Sequence, residues 1–175
     1  AVCSKDAFCY LSSHTNNLTK IPVLPKNTTS ICLVNHSISK LEKNGFRNLK
    51  GLETINFTNG KIADIGENTF SSVNILQNLI LRNNKLTVVK ASWFENVTSL
   101  KILDLYGNDI RKIESGSFEN LRNLTELNLG KNKIRNMPEN SFHPLISLQF
   151  LFLGENKMIY LRASWLQKLT FLSKL

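Results

Sequence analysis

The side chains best suited to chemistry in this chain are few and scattered. The three histidines, His14, His36 and His143, do not share one face of the periodic pattern described below. No nucleophile motif, phosphate-binding loop or metal-ligand cluster accompanies them. Asp104 stands among neutral neighbours, which suits a contact or solvated carboxylate better than a general base. Catalysis therefore has no support, and neither a cofactor nor a metal is implied. The three cysteines cannot all pair within one chain. Cys3 and Cys9 are close in sequence and read as the staple of an N-terminal cap. Cys32 could pair with a cap cysteine, stay free or cross-link another chain. Zinc is a poor alternative, because the spacing is irregular and His36 is the sole histidine nearby.

Two other patterns carry chemistry of a milder kind. Six N-x-[ST] sequons occur, at Asn17, Asn27, Asn35, Asn56, Asn96 and Asn123. With a cysteine cap they favour secretion and glycosylation. Lys and Arg number 22 against 13 Asp and Glu, a formal charge of +9. Lys61, Lys85, Lys133 and Lys157 recur at one repeat position, broken by Asp109, with Arg111, Lys112, Lys131 and Arg135 nearby. Stacked repeats would draw these into a basic flank fit for an anionic polysaccharide. Aromatic rings do not interleave with it, which disfavours nucleic acid.

What positions these residues is a repeat. Leu52, Leu76, Leu100, Leu124, Leu148 and Leu172 fall at a constant step of 24 residues. Ile55, Leu79, Leu103, Leu127 and Leu151 keep the same step, as do Phe57, Leu81, Leu105, Leu129 and Leu153. A ring column runs through Phe46, Phe70, Phe94, Phe118 and Phe142, with Leu166 in its last slot. Another apolar column holds Leu41, Ile65, Val89, Ile113, Met137 and Leu161. The L-x-L segment alternates, so it predicts a short strand with Leu inward and the x positions outward. Copies of that strand stack in parallel, while the rest of each repeat returns behind and fills the interior. Asn84, Asn108, Asn132 and Asn156 occupy one slot where the chain turns inward, and a buried amide ladder is expected there. His36 and Gly60 fill that slot in the first two repeats, with Asn35 and Asn59 one residue early, so the ladder is irregular at that end.

Composition agrees with a packed core. Hydrophobic residues make up 42% of the chain, and only 4 Pro and 8 Gly interrupt them. No apolar run reaches the roughly 18 residues of a membrane span. Residues 1–27, with the segment Ile21-Pro22-Val23-Leu24-Pro25, are expected to cap the first layer. Residues 28–175 hold six full repeats and a truncated last one. Leu172 and Leu175 match strand columns, so the end at Leu175 is expected to be continued by further chain or covered by a partner, a homodimer among the options.

The pattern L-x-x-L-x-L-x-x-N-x-L resembles the leucine-rich repeat of extracellular proteins. The fold this implies is an α/β leucine-rich repeat solenoid, right-handed, with 24-residue repeats and a parallel β-sheet on its concave face. The N-terminal part is similar to a Toll-like receptor ectodomain. That likeness rests on Cys3-Ser-Lys-Asp-Ala-Phe-Cys9, on Leu18-Thr-Lys-Ile-Pro22, on the first repeat and on Ser92-Trp93-Phe94. Small leucine-rich proteoglycans and the jawless-vertebrate lymphocyte receptors match less well, since their caps resemble a denser four-cysteine cluster. The resemblance implies an extracellular, non-enzymatic module for innate immune sensing of a protein or other macromolecule. The alternative is a matrix or glycosaminoglycan-binding module. Outward strand positions place Ile80, Arg82, Ile102, Asp104, Tyr106, Asn128, Phe150 and Phe152 on the candidate ligand face. A glycan at Asn56 would shield the first repeats of that face.

Overall fold

The computed structural model of the chain describes residues 18–175 and the backbone of a strand at Ala7–Leu11. In chain order the strands are β1 (Ala7–Leu11), β2 (Ser30–Val34), β3 (Lys40–Leu41), β4 (Thr54–Thr58), β5 (Asp64–Ile65), β6 (Asn78–Ile80), β7 (Val88–Val89), β8 (Ile102–Asp104), β9 (Lys112–Ile113), β10 (Glu126–Asn128) and β11 (Phe150–Phe152). Seven of them form one sheet in the order β1-β2-β4-β6-β8-β10-β11. Every pairing in it is parallel, and from β2 onward each register step is 24 residues, as in Ile31↔Ile55, Ile55↔Leu79 and Leu79↔Leu103. The sheet is thus the wall of a leucine-rich repeat solenoid. The segment before the first repeat adds β1 to it, a strand with no counterpart in the apolar columns.

The L-x-L alternation explains the burial. In β4 the Leu-type positions Ile55 and Phe57 are buried, while Thr54, Asn56 and Thr58 are half-buried on the other face. The returning half of each repeat is mostly turn. It is closed by short bonds such as Val73 N–H to the Phe70 carbonyl at 3.0 Å and Leu121 N–H to the Phe118 carbonyl at 3.0 Å. Two minor sheets, β3–β5 and β7–β9, link neighbouring returns. Helix is confined, among the described residues, to a 3-10 turn at Ala91–Trp93 and a helix α1 at Ala163–Leu166. One buried cluster runs the length of the stack from Ile31 to Leu169. Phe46 stacks on Phe70 at 5.7 Å and Phe118 on Phe142 at 6.1 Å. The column breaks at Phe94, which meets Trp93 edge-on instead.

The asparagine ladder forms as the spacing predicts. Asn132 Nδ2 donates to the carbonyls of Leu105 and Leu129, both at 3.0 Å, and its Oδ1 accepts the Ile110 N–H at 3.0 Å. Asn84, Asn108 and Asn156 repeat that pattern. Each rung therefore satisfies one N–H and one carbonyl of the preceding repeat. Gly60 supplies no rung. The Ile38 N–H it would have served is instead accepted by His36 Nδ1 at 3.2 Å. The imidazole takes up the vacant space so fully that a Cβ at Gly60 would lie 2.0 Å from His36 Cε1. His36 Nε2 is buried with no hydrogen-bond partner among the described residues. Burial also holds the imidazole below its ordinary pKa of 6.5.

Asn35 and Asn59 are not displaced rungs. They share a turn position with Asn83, Gly107, Lys131 and Glu155, and all six have positive φ, from 51° to 71°. Asparagine and glycine tolerate that left-handed conformation, whereas lysine and glutamate rarely adopt it. A second column of side-chain donors was not visible in the sequence pattern. Thr69 Oγ1, Trp93 Nε1 and Ser117 Oγ each reach the carbonyl 28 residues earlier, of Leu41, Ile65 and Val89, at 3.5, 3.0 and 3.0 Å. Trp93 is therefore a buried structural donor at the back of the solenoid.

Candidate functional site

The parallel register turns the outward positions into rows along the sheet. One row is Thr54, Asn78, Ile102, Glu126 and Phe150, and the next is Asn56, Ile80, Asp104, Asn128 and Phe152. The early part of these rows is small, neutral and internally bonded. Asn78 Nδ2 donates to Thr54 Oγ1 at 3.0 Å, and Thr58 Oγ1 donates to Asn56 Oδ1 at 2.6 Å. Cys32 belongs to the same face but is only 6% exposed and carries a free thiol. Burial raises its pKa, which keeps it protonated and poorly reactive. Cys32 keeps the outward strand position expected of it, but its thiol is buried there rather than open to another chain. Cys3 and the side chain of Cys9 lie outside the described residues, as do His14 and Asn17, although the backbone register sets Cys9 beside Cys32.

The later rows carry charge and rings, gathered around Tyr106. The Arg82 guanidinium lies 4.7 Å from the Tyr106 ring centroid, and Lys131 Nζ lies 6.0 Å from it. Arg82 Nη1 also pairs with Asp104 Oδ2 at 3.3 Å. The Tyr106 hydroxyl donates to Glu155 Oε1 at 3.5 Å. Gly130 makes room for this reach. A Cβ at Gly130 would come within 3.2 Å of Tyr106 Cδ2, and nothing lies within 4 Å of one at Gly154. The ring therefore lies along the sheet, over Gly130 and towards the next repeat.

Asp104 stands in the outward row but is engaged by its neighbours. It is 6% exposed, its Oδ1 accepts the Tyr106 N–H at 3.0 Å, and its Oδ2 faces Arg82. Desolvation raises its pKa, against the opposing pull of the Tyr106 amide and Arg82. It holds the Arg82 guanidinium and the Tyr106 amide in place. Asn128 is similarly committed, its Oδ1 accepting the Gly130 N–H at 3.0 Å. Ile80 and Ile102 are half-buried beside the cluster. Phe150 is 36% exposed, and Phe152 lies with Lys174 Nζ 5.4 Å from its ring centroid. Glu155 and Gly130 complete the cluster and were not singled out by residue type. The signal that could have found Glu155 is the turn column, where Asn gives way to Lys131 and Glu155.

The basic flank divides into separate places. Arg111, Lys133, Arg135 and Lys157 line one cleft of about 490 Å³. Lys61 borders a different depression beside His36 and Gly60. Lys112 lies in β9 on a minor sheet, and Lys131 turns towards Tyr106. Lys85 is exposed, and its charge acts on Asp109 next to the four-residue cleft. Asp109 breaks the lysine column at its third position, and its carboxylate pairs with Lys133 of the next repeat. Among the sequons, Asn27, Asn35, Asn96 and Asn123 are exposed and Asn56 is half-buried on the concave sheet. Among the described residues no group of three or more side chains could hold a metal, and no helix is long and apolar enough to cross a membrane.

A family model described as leucine rich repeat matches residues 26–86, 74–134, 98–158 and 122–175. No curated protein sequence matches the chain. Among solved structures, a TLR13–ssRNA13 complex aligns with TM-score 0.80 and 26% identity over 90% of this chain and 22% of that one. The Toll–Spatzle complex of Drosophila aligns with TM-score 0.77 and 23% identity over 82% of this chain and 20% of that one, a likeness of fold alone. A leucine-rich repeat protein of Leptospira interrogans aligns with TM-score 0.76 and 28% identity over 89% of this chain and 40% of that one. The chain thus spans about a fifth of the length of the two receptor chains.

Proposed function

We propose, since the chain belongs to the leucine-rich repeat family, that it is the ligand-recognition part of an extracellular, Toll-like innate immune receptor or of a soluble relative. Binding rather than catalysis is its task, and the ligand is a macromolecule held on the concave face around Tyr106. In this reading residues 1–27 are a cap stapled by Cys3 and Cys9, residues 28–175 are the repeats, and the six sequons carry glycans.

The observation that carries the reading is the change in the turn column. Asn35, Asn59 and Asn83 suit their positive φ, but Lys131 and Glu155 occupy the same left-handed position, with φ of 51° and 56°. Residues held in sparsely populated backbone regions concentrate at functional sites. Both place their charges beside Tyr106. No sequon lies on the concave sheet beyond Asn56, so the cluster stays open to a large ligand. The likeness to the TLR13–ssRNA13 structure supports a macromolecular partner.

The test is a parallel screen of the secreted chain and the Tyr106→Ala/Phe152→Ala variant. Both are presented to the same panel of secreted proteins and microbial glycans. Ligands held by the parent chain should be lost by the variant, with its melting curve kept two-state. Equal binding by both would remove the concave face from the reading.

A further inference from the structure

We propose that the cleft lined by Arg111, Lys133, Arg135 and Lys157 is a second binding site, specific for a sulfated polysaccharide. It is independent of the concave ligand face. Arg111 and Arg135 are equivalents one repeat apart, and so are Lys133 and Lys157. Stacking therefore sets two arginines and two lysines around one open cleft of about 490 Å³. Of the four, only Lys133 is neutralised, by its ion pair with Asp109. Among the described residues Arg111, Arg135 and Lys157 form no ion pair. Asp109 itself is crowded by cations, with Lys133, Lys85 and Arg111 all holding its carboxyl below the ordinary range.

Uncompensated like charges in one cleft repel each other, and an anion bound among them relieves that repulsion. The forked guanidinium groups suit a tetrahedral oxyanion, and the lysines supply point charge beside them. Sulfate esters and phosphates share that chemistry. The lining decides between their polymers. It holds no aromatic side chain, so bases of a single-stranded nucleic acid would find nothing to stack on. A sulfated sugar chain needs no such platform.

The test uses the full chain and a size-defined heparin oligosaccharide, with a single-stranded oligonucleotide of equal charge as the second arm. Counterion release from about three free cations predicts a roughly 20- to 40-fold loss of affinity between roughly 50 and 200 mM salt. The Arg111→Ala/Arg135→Ala/Lys157→Ala variant should lose at least about tenfold in heparin affinity, the direction expected when phosphate-type contacts are removed. Lys43→Ala/Arg47→Ala/Lys50→Ala removes the same charge from exposed positions of the first repeat and should leave affinity nearly unchanged. Asp109→Asn should tighten binding by freeing Lys133. If the triple cleft variant does not fold, Arg135→Glu alone replaces it. The proposal is overturned if the parent chain does not bind heparin, or if the two triple variants lose affinity equally. Tighter binding of the oligonucleotide, or weaker binding by Asp109→Asn, would overturn it as well. Loss of the concave ligand on Tyr106→Ala/Phe152→Ala is a separate readout and leaves this test intact.

Discussion

The first two repeats and the later four solve the same packing problem with different parts. In the later repeats Asn84, Asn108, Asn132 and Asn156 bridge each inward turn to the repeat before it. In the first two, Gly60 offers no rung, the His36 ring fills the space it leaves, and His36 Nδ1 accepts the Ile38 N–H within its own repeat. The surfaces differ in step with the interior. Early turns use asparagine and early outward residues bond to one another. Later turns use Lys131 and Glu155, and later outward residues surround Tyr106. The contrast teaches that the solenoid tolerates changes of rung and of turn residue, provided that the buried backbone groups are still met. Sequence freedom at the turn is what lets one end of the sheet become a charged, aromatic surface.

The ladder should show this contrast most strongly. Asn132→Ala strands the Ile110 N–H and the Leu105 and Leu129 carbonyls, and should cost about 3–4 kcal/mol of unfolding free energy in urea titration. A loss under about 1 kcal/mol would mean water replaces the amide, and the two regions would then differ less than their contacts imply.

Glycines separate the regions at the next scale. Gly60→Ala drives a Cβ into His36 and Asn84, and should cost about 2–3 kcal/mol. Gly154→Ala meets open space and should change stability by no more than about 0.5 kcal/mol. Equal melting of the two variants would show that His36 moves aside freely.

The smallest effect should come from the turn column. Lys131→Gly relieves the left-handed strain and should stabilise the chain by about 0.5–1 kcal/mol, while weakening any ligand held at Tyr106. A gain in stability with unchanged binding would make Lys131 a bystander of the cluster.

Much of this architecture is legible in the sequence. Apolar columns at a step of 24 residues determine a parallel stack, because a strand that hides every second residue must repeat its neighbour's register. The amide rungs follow from the same step, since a buried inward turn leaves backbone groups that only a short polar side chain can reach. Periodicity also placed Arg82 and Tyr106 on one face. It could not say that Asp104 and Cys32 are covered there, nor that Lys131 leaves the basic flank to face Tyr106. Those outcomes depend on side chains from different repeats competing for the same space. Column spacing fixes where a Cα lies but not where a long side chain ends. The tertiary structure alone decided that a ring lies over Gly130, that His36 stands in for a missing rung, and that four cations share one cleft. Each is a contact between residues of different repeats, set by volume and charge in three dimensions rather than by position in a pattern.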